Sequence, residues 1–492
     1  MRRRIFCASA VSALTVAAIP WQRALAVAST EVPAMGTAGK QIVLKPAEVD
    51  ELRASLRGVL LTPGQEGYDT ARKIWNGAFD RKPALIARCA GAADVTSAVN
   101  FARTHELLVA VRGGGHSLSG QSVCDGGMMI DLSPMKGIRV DPVAKTARVE
   151  PGVLLGQFDR EAQAFGLATT AGTVSHTGAA GLTLGGGFGR IGRKYGLACD
   201  NMSSADVVTA DGRFVKAGMK DNPDLLWGLR GGGGNFGVVT SFEYQLHTVT
   251  PLMYGGALVF PYAEPRDLLR SFADFIAGAS DDLYVDVMIV PTPNGQRAVV
   301  LDVCHSGSTA AAEKELAKLR KIGKPLQDGL RPTMYVDIQR NGDDGFPTGR
   351  GYYIKSGFVK AIEPKMIDAC VDYLDSAPFP AGVIGFSHHG GAIGRVKQDA
   401  TAFWHREANH SVMVIGFWNE PGGAERSMQW SRTGWKTVEP LTDGFYVNEM
   451  SSDDTEKRIR GTYGANYTRL AALKKQYDPM NLFRMNANIK PA

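Results

Sequence analysis

Cysteine is scarce in this chain. Six occur in 492 residues, none in C-x-x-C spacing and none beside histidine in a knuckle pattern, which speaks against a structural zinc site. Five of them, Cys89, Cys124, Cys199, Cys304 and Cys370, lie beyond the N-terminal segment. That odd number permits one or two disulfides or a set of buried free thiols. No period of 20–50 residues repeats, so solenoid and propeller architectures are excluded. No apolar run is long enough to span a bilayer. Basic blocks are also missing beyond the first few residues. Without the four arginines of residues 1–26 the formal charge falls from +6 to +2. So balanced a surface gives no ground for nucleic acid or anionic membrane as partner.

The N-terminus is read as a signal peptide, residues 1–28. Arg2-Arg3-Arg4 is a basic start, Ala8 to Ile19 is mildly apolar, and Ala24-Leu25-Ala26 and Ala26-Val27-Ala28 both have the A-x-A form of a cleavage site. Arg3-Arg4-Ile5-Phe6 is similar to a twin-arginine signal, so an exported, periplasmic or secreted protein is expected.

What the chain has in abundance is glycine, 58 residues, concentrated in the first half at Gly113–Gly115, Gly178–Gly189 and Gly231–Gly234. Such runs let backbone approach a ligand closely. Between them the periodicity alternates. Val95, Ala98, Val99 and Ala102 behind Asp94 predict a helix, and Leu107–Val111, Met128–Leu132 and Ala147–Glu150 predict strands. After about residue 248, Tyr284–Val290, Ala298–Cys304 and Val412–Trp418 predict strands of a larger sheet. Asp267–Ile276 and Glu313–Leu319 predict helices between them. The length itself favours two domains.

Arg112-Gly113-Gly114-Gly115-His116-Ser117 follows a predicted strand, and consecutive glycine amides there suit a diphosphate or a planar ring. Taken alone, His116 either caps a turn or is held against the loop's ligand. The second cluster runs from Gly172-Thr173-Val174 through Thr177-Gly178 and Gly181-Leu182 to Gly185-Gly186-Gly187-Phe188-Gly189. It offers Gly185-x-Gly187 but lacks the third glycine of G-x-G-x-x-G, which argues against a dinucleotide-binding Rossmann site. The third cluster, Gly231–Gly234, leads to Asn235-Phe236-Gly237-Val238-Val239. The tail adds Tyr446-Val447-Asn448, Tyr463-Gly464-Ala465-Asn466-Tyr467, and Tyr477-Asp478-Pro479 through Asn486-Ala487-Asn488-Ile489.

With Trp75-Asn76 and Pro83–Ile86, these ordered motifs resemble the berberine-bridge-enzyme-like FAD-linked oxidases of the vanillyl-alcohol-oxidase/PCMH fold. The resemblance implies an α+β protein. A PCMH-type FAD-binding domain of two subdomains would occupy residues 44–247. A mixed α/β substrate domain with a large antiparallel sheet would follow at 248–440, and the tail at 441–492 would return to the flavin. It implies that His116 bonds the flavin and that Arg112–Ser117, Gly172, Thr173, Val174, Thr177, Gly178, Gly181, Leu182, Gly186, Gly187 and Gly189 surround its diphosphate and ring. Val238, Val239, Asn486 and Asn488 would complete the cofactor site. Doubly tethered members carry a cysteine where this chain has Val174, so FAD attached through His116 only is expected.

The resemblance also implies oxidation of a small organic molecule. A CH–OH group with O2 as acceptor is favoured, and an amine or alkaloid-like substrate, a dehydrogenase, or an idle flavin-carrying binding protein is the alternative. Tyr446 is the family's candidate base and Glu449 a second. A free tyrosine, at a pKa of about 10, is a poor base at neutral pH without help. Tyr352, Tyr353 and Glu407 are candidates for the pocket wall. His388-His389 lack a carboxylate at ligand spacing, so no metal is expected.

Overall fold

The computed structural model describes residues 31–377 and 382–492; the signal-peptide segment lies outside them. Three sheets organise the chain. The first runs Val59–Leu61, Leu85–Arg88, Met128–Asp131, Val109–Arg112, its last three strands parallel. The helix Ala92–Thr104 makes the crossover, burying Val95, Ala98, Val99 and Ala102 as their spacing predicts. It starts two residues before Asp94. That carboxylate accepts N–H bonds from Arg57, Gly58 and Ala90, tying the helix to the preceding loops.

The second sheet is antiparallel, in the order Phe214–Gly218, Met202–Val208, Val238–Gln245, Thr146–Val149, Ile138–Asp141. The third has eight antiparallel strands. Gln327–Asp328 and Arg331–Met334 both pair with Leu252–Pro261; then come Arg297–His305, Leu283–Pro291, Gly382–His388, His410–Trp418 and Gly351–Val359.

Period-two alternation decides what this large sheet does with its two faces. In Leu283–Pro291 the odd residues Val285, Val287 and Ile289 join a core with the helices Pro265–Ala277, Thr309–Leu319, Pro364–Ser376 and Ala424–Val438. The even residues Tyr284, Asp286 and Met288 face a cavity instead. Val412 and Val414 against Met413 and Ile415 repeat the division.

The tail spans both smaller sheets. Tyr463, Tyr467, Leu470 and Ile489 pack with Leu225, Leu226 and Phe236, whereas Leu482 and Phe483 enter the core of the first sheet beside Val99 and Val238. Lys474 and Asp478, both fully buried, pin it: Lys474 Nζ donates to Asp478 (2.7 Å) and to the carbonyls of Asn235 and Phe483. All five described cysteines are buried and unbridged. Among the described residues no helix is long and apolar enough to cross a membrane.

Candidate active site

The three glycine clusters and the tail converge on a groove of about 370 Å³. Gly113, Gly114, Gly115, His116, Ser117, Thr177, Gly178, Gly181, Leu182, Val238, Val239 and Asn486 all line it, with Tyr446 and Glu449 at one end. Two uses of glycine separate here. Gly114 and Gly178 face each other so closely that a Cβ on either would stand 2.4–2.7 Å from the other's backbone, so these glycines join two loops. A Cβ on Gly181 or Gly234 would meet nothing within 4 Å and would project into the groove. Gly115, Gly172, Gly186 and Gly187 adopt left-handed backbone that other residues avoid.

Several expected residues stand behind the groove rather than in it. Arg112 donates to the Ala71 carbonyl and lies 3.9 Å from buried Asp131, which holds the loop's root. Gly186, Gly187 and Asn488 do not line the groove; the Gly187 N–H donates to the Tyr446 hydroxyl (2.9 Å). Gly172, Thr173, Val174 and Gly189 line a second, smaller cavity of about 190 Å³.

That cavity shares His116, Thr177, Leu182, Tyr446 and Glu449 with the groove and is closed by Tyr284, Asp286, Ser387, His388, Met413 and Ile415 of the large sheet. Tyr352 lines it as anticipated. Tyr353 does not: it faces the opposite side of its strand and donates to Asp453. Glu407 is exposed and paired with Lys360, so it is no pocket residue.

His116 is half-buried, and its Nε2 is sealed from solvent without a partner. Burial, then the neighbouring His176, depresses its pKa to about 3, so the ring is neutral at physiological pH. It stacks on Trp75 (centroids 4.0 Å, 16°), and Trp75 stacks on Tyr352 (4.2 Å, 11°). Backbone bonds fix that stack: Trp75 N donates to Gly115 O, and the indole N–H to Phe346 O (both 2.9 Å).

The Tyr446 hydroxyl accepts from Gly187 N and from Asn448 Nδ2 (2.6 Å). Both bonds favour phenolate, but burial prevails and raises the pKa above the usual tyrosine range. Glu449 behaves differently. Desolvation lifts its carboxyl to about 7, and Oε2 is sealed from solvent without a partner. At neutral pH it is the better acceptor of a proton.

Sequence reasoning missed Asp286, and Trp75 figured there only in a family motif. It also missed the clamp from the large-sheet domain onto the second cluster. Ser175 donates to Asp343 through both N–H and hydroxyl (2.8 and 2.6 Å), and Gln339 Nε2 donates to Ala171 O (3.0 Å). Among the described residues no group of three or more His, Cys, Asp or Glu is placed to hold a metal ion.

Residues 83–218 match the FAD binding domain family and residues 445–490 the berberine and berberine-like family. An FAD-linked oxidoreductase of Dictyostelium discoideum is 33% identical over 446 residues, covering 90% of this chain and 97% of the relative. The chain belongs to the FAD-linked oxidoreductases. Within that family it is 33% identical over 449 residues to the (R)-6-hydroxynicotine oxidase of Paenarthrobacter nicotinovorans, covering 89% of this chain and 97% of that one. The crystal structure of a 6-hydroxy-D-nicotine oxidase from Arthrobacter nicotinovorans superposes with a TM-score of 0.82 at 31% identity, over 89% of this chain and 99% of the other. For an FAD-linked oxidoreductase the groove is apt. Its walls include glycine backbone with Val109, Val111 and Val238, and the sealed His116 Nε2 and Asn486 Oδ1 have no protein partner, so the residues present fit FAD.

Proposed function

We propose that this chain oxidises a small organic substrate at a carbon bearing a hydroxyl or an amino group, that its FAD is tethered through His116 alone, and that dioxygen is the terminal acceptor. Bound FAD supplies the two-electron acceptor. The observation that carries the reading is the shared wall between groove and cavity, where His116, Tyr446 and Glu449 stand together. Glu449 takes the substrate's O–H or N–H proton onto Oε2. Tyr446, held by Gly187 and Asn448, orients the reacting group by hydrogen bonding. Val174 lines the same cavity as His116 and forms no thioether, which supports the single tether. A cavity of about 190 Å³ favours a compact substrate over an oligosaccharide.

Export through the N-terminal signal completes the proposal, because a covalent cofactor is not lost outside the cell. Fractionation that left the protein in the cytoplasm would refute that part.

The test of the reaction is an anaerobic screen of alcohols, sugars, phenols and amines for bleaching of the flavin absorbance, followed by admission of air. Bleaching by one class and recovery in air are expected. No bleaching by any class overturns the oxidation; bleaching without recovery overturns dioxygen as acceptor.

A further inference from the structure

The proposed oxidation leaves open whether the substrate offers a hydroxyl or a nitrogen, and it gives Asp286 no role. Resting on that reading, we infer that the substrate carries a protonated nitrogen and that Asp286 is the residue that selects it.

Asp286 is 6% exposed and sits on the cavity face of the strand Leu283–Pro291. Its two carboxylate oxygens accept from Ser387 Oγ–H and from the His388 backbone N–H, both at 3.1 Å. Donors of that kind favour the ionised form. Desolvation, then Asp302, raises the Asp286 carboxyl to about 6, so it is ionised at pH 8; Glu449 lines the same cavity and is itself raised by desolvation and by the Asp286 charge. Among the described residues no lysine or arginine lines the cavity.

The cations just behind the wall are already engaged. Arg190 pairs with Asp302. Arg193 lies against the backbone carbonyls of His389, Ala279 and Ser280. With Asp286, Glu449 and Asp302 ionised, the carboxylates outnumber Arg190 and Arg193 by one, and neither arginine lines the cavity. Buried carboxylates without countercharge are costly, and a cationic ligand relieves that cost. His388 supplies no countercharge: it is 3% exposed and held neutral by burial, with Nδ1 unpartnered. Trp75, Phe188, Tyr284, Phe346 and Tyr352 complete the walls, with Trp75 stacked on His116 and Tyr352 and Phe188 stacked on His389. A neutral alcohol does not relieve the charge deficit.

The proposal is tested on the holoenzyme without turnover, so it stands apart from the screen above. Benzamidine and benzamide are matched in shape, resist hydride loss and differ in charge; their binding is read from perturbation of the flavin spectrum. Benzamidine is expected to bind at least tenfold tighter at pH 8. Asp286→Asn is expected to erase that preference while benzamide binding stays within threefold. Equal binding of the pair, or tighter benzamide, overturns the inference whether or not the variant folds. A preference that survives in flavin-loaded Asp286→Asn overturns the assignment to Asp286.

Discussion

At the scale of single residues, the site turns on how burial divides two proton-handling groups. Tyr446 accepts two N–H bonds yet is too deeply buried to ionise, whereas Glu449 is brought to about 7. A base of that kind works when deprotonated, so kcat/KM should rise with pH through about 7 and level off above it. Glu449→Gln should lower kcat/KM by about a hundredfold, the lower range for loss of a general base, and remove that limb of the profile. A Gln variant that keeps the limb would assign the base elsewhere. Tyr446→Phe leaves the Gly187 N–H without its acceptor. A kcat lowered more than tenfold with little change in flavin content is expected, and flavin loss instead would make its role structural.

At the scale of elements, much of the scaffold could be read in advance, for physical reasons. The periodicity of Val95, Ala98, Val99 and Ala102 locates a helix because burial on one face demands it. The alternation from Tyr284 to Val290 locates a strand, and the glycine clusters mark where loops meet. What stayed hidden depends on which face each strand turns to the cavity. Asp286 reaches the pocket beside the anticipated Tyr352 through its strand's face, Tyr353 leaves it by the same alternation, and Glu407 lies in an exposed turn. Glycines such as Gly114 and Gly178 read as ligand loops, yet they also pack backbone on backbone.

Two predictions belong at this scale. Gly178→Ala should lower flavin content and thermal stability, because its Cβ would stand 2.7 Å from Gly114; an unchanged melting temperature would contradict the packing argument. Asp478→Asn leaves Lys474 buried beside a neutral partner and should cost about 3–5 kcal/mol in denaturant unfolding. A cost below about 1 kcal/mol would mean that the tail is not pinned there.

At the scale of the whole molecule, two small sheets bound the flavin groove, a large one roofs the substrate cavity, and the tail crosses both small cores. The desolvated carboxyl of Glu449 makes this architecture sensitive to pH. Its folded-state pKa lies above the ordinary carboxyl value, so between about pH 4.5 and 7 the native state keeps a proton that the unfolded chain releases. Stability should therefore fall as pH rises through that window, by about 1–3 kcal/mol from this group, and Glu449→Gln should flatten the dependence. The His116 stack links groove and cavity, because Trp75 is held by both the glycine loop and the large-sheet domain. The most direct measurement is flavin fluorescence of the denatured protein after electrophoresis. Wild type and Val174→Ala should fluoresce yellow-green and His116→Ala should be dark. A dark wild type, or a fluorescent His116→Ala, would contradict the account.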